Sequence, residues 1–288
     1  MASVSFAQGN ASDLFQYMES LSDLRPFPTA ATRLLAACDD PNANSRTIAE
    51  IIQCDPGMSL KLLRVSNSSM YGFSGEIRSV EHATVVLGFR AVKDLSLSLA
   101  AADMFAQGST AQQEREALWQ HSLGCASLAR ILASQSNDVS PEEAFLAGVV
   151  HDVGKLIYYD VYPDVYAALT CDLPPQAIVT AENESFGVAH TEIGRRCADE
   201  WGLPGEIAEV INWHHAPDNA EFSHELVELV STANILSKLW GIGCAPAAAE
   251  PTAEELSELI PQVGSESLNE LRDEALEEFE AITKACAA

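Results

Sequence analysis

Near the middle of the chain lies the stretch Ala147-Gly148-Val149-Val150-His151-Asp152-Val153-Gly154-Lys155-Leu156. The apolar residues in and around it recur at helical spacing, which predicts a helix that is buried on most of its surface. These positions are Leu146, Val149, Val150, Val153, Leu156 and Ile157. Burial of an ionised carboxylate costs on the order of several kcal/mol unless a cation or a metal compensates it. The sequence therefore predicts a partner for Asp152.

Histidines elsewhere in the chain are the candidate partners. With the central pair they give six candidate metal ligands on four predicted helical segments: His121, His151, Asp152, His190, His214 and His215. Such ligands suit iron, zinc, manganese and nickel. Two metals that share a bridging carboxylate would form a hydrolytic site, and Lys155 would then contact the phosphate of a substrate. The alternative is that these histidines are packing residues bonded to backbone carbonyls, and the residue types leave both interpretations open.

The composition excludes several classes of function. A net charge of −26 and a pI near 4.4 argue against nucleic-acid binding and against anionic membrane surfaces. No apolar run reaches the length of a bilayer span and the N-terminus lacks a signal-peptide pattern, so we expect a cytoplasmic protein. The 7 cysteines are odd in number and never spaced C-x-x-C, which is typical of reduced packing residues.

Helical periodicity dominates and alternating strand patterns are nearly absent, which predicts an all-α fold. Prolines divide the first hundred or so residues into short helices, one of them capped by Asn44 or Ser45. The polar stretch 107–110 is the best boundary, so we expect an N-terminal group of short helices over residues 1–108 and a helical core over residues 109–245. In that core, Ser140-Pro141-Glu142-Glu143 predicts a capped start for the helix that carries His151 and Asp152.

The last residues of the chain, 246–288, form a distinct acidic extension. They include a predicted capping box at Thr252-Ala253-Glu254-Glu255 and a helical pattern over Ser267–Ala281. The apolar positions of that pattern are Leu268, Leu271, Leu276 and Phe279. We expect one or two surface helices here, either solvated or docked onto another chain, which makes a homo-oligomer one possibility.

Several motifs together resemble a known family. His151-Asp152-Val153-Gly154-Lys155, with His121 upstream, resembles the core of the HD superfamily of metal-dependent phosphohydrolases. A more specific resemblance, from about residue 13 to about residue 243, is to the HDOD domain, generally regarded as a non-catalytic signalling module. It rests on Leu24-Arg25-Pro26-Phe27-Pro28, Ile48-Ala49-Glu50-Ile51-Ile52, Asp55-Pro56, Leu62-Leu63-Arg64-Val65-Ser66-Asn67-Ser68, Ala83-Thr84-Val85-Val86-Leu87-Gly88, His190-Thr191-Glu192-Ile193-Gly194, Trp201-Gly202-Leu203-Pro204 and His214-His215.

The resemblance implies an all-helical fold in which the N-terminal bundle packs on an HD-like core. The HD pattern of metal ligands carries over to His121, His151 and Asp152, and the pattern of the HD-GYP phosphodiesterases adds His190, His214 and His215. Iron, zinc or manganese is the implied cofactor. The implied partners are signalling proteins such as a kinase, a diguanylate cyclase or a transcription regulator.

Three departures from the phosphodiesterase pattern bear on activity. Asn234 stands where the pattern has an aspartate, Ala117 stands where it has a catalytic glutamate, and no Gly-Tyr-Pro segment follows His214-His215. The first hypothesis is therefore a regulatory module that acts through protein contacts, with no assigned catalytic residue. The second is an active metal-dependent phosphohydrolase or cyclic-dinucleotide phosphodiesterase. The third is a metal or redox sensor.

Overall fold

The computed structural model describes residues 10–24, 29–38, 44–73, 75–106, 110–136, 138–170, 177–244 and 267–287. These ranges contain helices and no strands, as the all-α prediction requires. The α-helices are α1 (Ala11–Leu24), α2 (Thr29–Cys38), α3 (Ser45–Gln53), α4 (Pro56–Ser66), α5 (Val80–Val86), α6 (Phe89–Ala106), α7 (Gln112–Ser134), α8 (Pro141–Val150), α9 (Lys155–Val161), α10 (Pro163–Thr170), α11 (Ile178–Phe186), α12 (His190–Trp201), α13 (Gly205–Trp213), α14 (His224–Trp240) and α15 (Leu268–Ala287). Short 3-10 turns lie at Ser69–Tyr71 and Pro217–Asn219. Among the helices so described, none combines the length and apolar character of a membrane span.

Local signals set the ends of the N-terminal helices. Asn44 caps α3: its side chain accepts hydrogen bonds from the backbone N–H groups of Arg46 and Thr47, and its own backbone N–H donates to the Thr47 hydroxyl. Asp55 caps α4 in the same way, accepting from the backbone N–H of Met58. The predicted cap at Asn44 is therefore confirmed.

Helices α7 and α8 form the centre of the molecule. They approach each other backbone to backbone at Gly148, where a Cβ would lie 2.5 Å from the Cα of Ala126. Helix α14 packs on both α7 and α8, and α6 packs on α8. Nearly all buried apolar residues of the described chain belong to one cluster, which continues from the N-terminal helices into this core. The subdomain boundary at residue 108 stays a prediction.

The helix predicted to carry His151 and Asp152 is interrupted. Helix α8 ends at Val150, a turn covers 151–154, and α9 begins at Lys155. In this turn the backbone hydrogen bonds change to i→i−3 spacing, from Val153 N to Val150 O and from Lys155 N to Asp152 O. The prediction of a continuous helix was therefore wrong. The spacing of apolar residues is the same with or without the tightened turn at 151–154, so it could not indicate the interruption.

Two further helix predictions need correction. Ser140 precedes α8 but makes no side-chain cap bond; its hydroxyl instead points to the Glu142 carboxylate at 3.4 Å. Helix α15 is not a fully solvated helix, because it packs on α7, α4 and the turn Ser69–Tyr71 of its own chain. Its buried positions are Leu268, Leu271, Ala275, Glu278 and Ile282, whereas Leu276 is 42% exposed. Docking onto another chain stays a prediction. The capping box predicted at Thr252 lies outside the described residues.

Candidate metal centre

The turn after α8 carries Asp152 into a pocket where the six candidate ligands of the sequence meet. Asp152, His190, His214 and His215 form one set, the three-histidine group; His121, His151 and Asp152 form a second, the two-histidine group. Within each group, one ligand atom from every residue lies within 4.8 Å of the others. Every member except His215, which is partly exposed, is buried. The ligands come from the middle of α7, the start of α12 and the end of α13.

The two oxygens of Asp152 face the two groups separately. Oδ1 lies 3.2 Å from Nε2 of His190 and 3.5 Å from Nε2 of His214. Oδ2 lies 3.3 Å from Nε2 of His151 and 3.6 Å from Nε2 of His121. Asp152 is thus the residue through which the two groups are joined.

Backbone carbonyls orient two of these imidazoles. Nδ1 of His151 lies 2.7 Å from the carbonyl oxygen of Gly148. Nδ1 of His214 lies 3.1 Å from the carbonyl oxygens of both Val210 and Ile211. Since a carbonyl only accepts, Nδ1 carries a proton in both rings and Nε2 is the atom turned toward Asp152.

Glu182 orients a third imidazole and was not among the sequence candidates. Its Oε2 lies 2.7 Å from Nδ1 of His190 and accepts the backbone N–H of the same residue at 2.8 Å. Its Oε1 accepts the Tyr166 hydroxyl at 2.6 Å. The sequence held one signal for it: Glu182 lies on the same face of α11 as the buried Ile178 and Phe186.

Burial and charge set opposite protonation states within the pocket. Burial opposes ionisation of Asp152, yet the charges of Lys155 and His151 hold its pKa well below the usual range. Burial alone would lower the pKa of His151, but the Asp152 carboxylate raises it to about 10. The pKa of His190 is likewise raised, because Glu182 outweighs the cost of burial.

The other three histidines of the pocket are neutral. Burial lowers the pKa of His214 to about 3 and depresses the pKa values of His121 and His215 well below the usual range. Burial, together with the charge of Lys155, also lowers the pKa of Lys238, on the neighbouring helix α14, to about 8. Neutral imidazoles are the form that binds a metal, so three ligands need no proton loss.

The donor set fits a metal ion. Among the residues that the structure describes, Nε2 of His121, His151 and His215 and Oδ1 of Asp152 are buried without a hydrogen-bond partner. An unsatisfied buried polar atom costs about 1–3 kcal/mol. Imidazole nitrogens and a carboxylate that converge in this way suit iron, zinc or manganese. Whether the six residues bind a metal stays a prediction.

Comparison with known families places the six candidate ligands inside one matched region. Residues 24–217 match the HDOD domain family, which is more than half of the chain. The chain belongs to the HDOD domain family. A crystal structure of an HDOD domain protein with unknown function from Geobacter sulfurreducens has the same fold, with a TM-score of 0.73 and 21% identity over 93% of this chain and 98% of that one.

Two sequence relatives of this HDOD protein are longer than the chain. An uncharacterized protein of Treponema pallidum is 24% identical over 224 residues, which cover 75% of this chain and 42% of the relative. Ribonuclease Y of Thermus thermophilus is 32% identical over 117 residues, which cover 41% of this chain and 16% of that protein. The chain therefore spans less than half the length of these curated relatives.

A lysine lies beside the two-histidine group of this HDOD domain. Lys155 Nζ lies 2.6 Å from Oδ2 of Asp152, the oxygen that faces His121 and His151. On the side of the two-histidine group, the negative charge of Asp152 is therefore already compensated by Lys155.

Proposed function

We propose that this HDOD protein is a non-catalytic signal-transduction module that acts through protein–protein contacts and holds a single metal ion in the three-histidine group. One observation carries the proposal: Lys155 Nζ lies 2.6 Å from Oδ2 of Asp152 and so competes for the oxygen that a second metal would need. An ammonium group this close, in a buried site, is a strong charge-assisted partner for the carboxylate.

The three-histidine group supports binding of the one ion. Oδ1 of Asp152 has no hydrogen-bond partner among the described residues, and His214 and His215 are neutral. His190 would lose a proton on binding while Glu182 retains the one on Nδ1. When bound, the metal would supply a fixed positive charge that draws these four side chains together.

Metal occupancy would act as an input in this proposal. The ligands come from α8–α9, α12 and α13, so an ion would favour one relative arrangement of these helices. A ligand shifts a conformational equilibrium only by its different affinity for the two states, and partner binding would report that shift. Signalling proteins such as a kinase, a diguanylate cyclase or a transcription regulator are the proposed partners.

A metal-dependent phosphohydrolase is the second candidate function. It is favoured by the position of Asp152 between two histidine groups, the arrangement of a carboxylate that bridges two metals. The partial likeness to Ribonuclease Y also points to phosphodiester chemistry. Asn234 and Ala117 count against it, because an amide is a weaker ligand than a carboxylate and an alanine supplies no acid or base.

Turnover assays separate the two functions. The chain is loaded in turn with iron, zinc and manganese, then incubated with cyclic dinucleotides and with nucleotide phosphoesters, beside Asp152→Ala. We expect equal, background hydrolysis from both proteins. Metal-dependent hydrolysis by the parent chain that is lost in Asp152→Ala would establish the phosphohydrolase and overturn the regulatory proposal.

A further inference from the structure

Helix α15 lies in a groove formed by α4, the 3-10 turn Ser69–Tyr71 and α7. We call this the α15 groove. The helix buries an apolar stripe in it, formed by Leu268, Leu271, Ala275 and Ile282. Its opposite face is acidic and exposed, with Glu270, Asp273, Glu274, Glu277 and Glu280. This pattern of one apolar and one charged face is what a groove-binding helix requires.

An ion pair marks the middle of the groove. Oε2 of Glu278 lies 2.7 Å from Nη1 of Arg130 on α7. Nη2 of the same guanidinium donates to the carbonyl of Met70 at 3.1 Å, and its carbon lies 5.2 Å from the centre of the Tyr71 ring. Arg130 thus joins the core to the N-terminal helices and recognises one carboxylate on α15.

The fit of α15 to its groove is imperfect. Within the described part of the chain, Oε1 of Glu278, Nε of Arg130 and Oγ1 of Thr283 are buried without a hydrogen-bond partner. Each such atom opposes docking, because it gives up its hydrogen bonds to water without gaining a partner. A small apolar cavity also remains under the helix, where Ile282 and Cys286 face side chains of α4, α6, α7 and α8. These defects offset part of the stabilisation that the apolar stripe contributes.

We propose that α15 docks reversibly and that its groove is a docking surface for a partner protein's amphipathic helix, which carries a carboxylate opposite Arg130 and replaces α15. The charge of Arg130 at the centre of an apolar groove selects such a helix, and α15 itself shows that a helix of this kind fits. This inference rests on the proposed function, because it locates where a regulatory partner would bind. Its tests involve no metal, so its failure is distinguishable from failure of the metal proposal.

Hydrogen exchange on the unmodified chain tests the reversibility. We expect backbone amides of α15 to exchange at least about tenfold faster than those of α7, since opening of the helix requires only local release. Exchange of both helices at one common rate would show that α15 leaves only on global unfolding, which would overturn the proposal.

A peptide with the sequence of residues 267–287 tests the groove as a docking surface. In the full chain, Leu271→Asp weakens the internal helix, and we expect the labelled peptide to bind this variant at least about tenfold more tightly than the parent chain. Circular dichroism and a cooperative melt establish that the variant is folded. If Leu271→Asp does not fold, the full chain with Glu278→Lys is used in its place, because this change also weakens the contact of α15 with its groove.

Two peptide variants provide a matched control. Glu278→Lys and Glu277→Lys make the same change of charge at adjacent positions, the first buried against Arg130 and the second exposed. We expect the first to weaken binding at least about tenfold and the second to change it less than about threefold. Equal effects, or no binding of the parent peptide to a folded variant chain, would overturn the proposal. The proposal would also be overturned if the parent chain formed a dimer that Glu278→Lys dissociates. In that case the α15 groove would bind a second copy of this chain rather than a partner protein.

Discussion

Glu182 holds His190 at two points, with Oε2 2.7 Å from the ring Nδ1 and 2.8 Å from the backbone nitrogen. Both residues are fully buried. The carboxylate fixes the proton on Nδ1, so Nε2 is the atom presented to Asp152. The ring would otherwise be free to choose either tautomer.

Glu182→Gln should therefore weaken metal binding. The glutamine keeps the shape of the side chain but loses the charge that fixes the His190 tautomer, and loss of such a contact typically costs about 10–100-fold in affinity. Competition with a chromophoric chelator measures the effect. Glu184→Gln, an exposed position on the same helix, is the control and should leave the affinity unchanged. Equal affinities for the parent and Glu182→Gln would show that Glu182 has no role in positioning the ligand.

Lys155→Met tests the competition between the lysine and a second metal. Removal of the ammonium leaves Asp152 buried and less compensated, so the metal-free variant should lose on the order of 3 kcal/mol of its free energy of unfolding. Added metal should restore more stability to this variant than to the parent chain, because the freed oxygen becomes a ligand. Urea unfolding with and without zinc measures both values. Lys284→Met, at an exposed position, is the control. A variant as stable as the parent without metal would contradict the role given to Lys155.

Glu278 should make stability fall as the pH rises. Burial raises its pKa from the ordinary value of 4.5 to about 7, although the Arg130 charge opposes the shift. Between these two values the folded chain therefore binds more protons than the unfolded chain. The contribution of Glu278 to the free energy of unfolding is fully present below about pH 4.5 and is lost as the pH rises through about 7. Denaturant unfolding across this range should show a shallower pH dependence for Glu278→Gln than for the parent. The exposed Glu277→Gln should follow the parent, and parallel curves for all three proteins would refute the assignment.

Much of the fold was predictable from local patterns. The prolines and the capping Asn44 set the ends of the short N-terminal helices, and the apolar spacing around Val149 correctly indicated burial. The turn at 151–154 was not predictable in this way, because it depends on a tertiary contact. Gly154 packs against α12 so closely that a Cβ there would lie 2.0 Å from the carbonyl oxygen of His190.

The candidate site was predictable to the level of residue types. Six rare ligands and a buried carboxylate indicated a shared pocket, and the structure brings them together. The sequence did not reveal the separate orientation of the two Asp152 oxygens or the contact with Glu182, because both depend on how α11 and α12 pack. Lys155 was expected to face a substrate, whereas its ammonium group contacts Asp152.

Metal content per chain tests the central claim of a single ion in the three-histidine group. The parent chain, His190→Ala and His121→Ala are each loaded with iron, zinc or manganese, desalted and measured by mass spectrometry. We predict a single bound ion in the parent and in His121→Ala, and none in His190→Ala. Two ions in the parent chain, equal loss in both variants, or no ion in any of the three proteins would contradict the account.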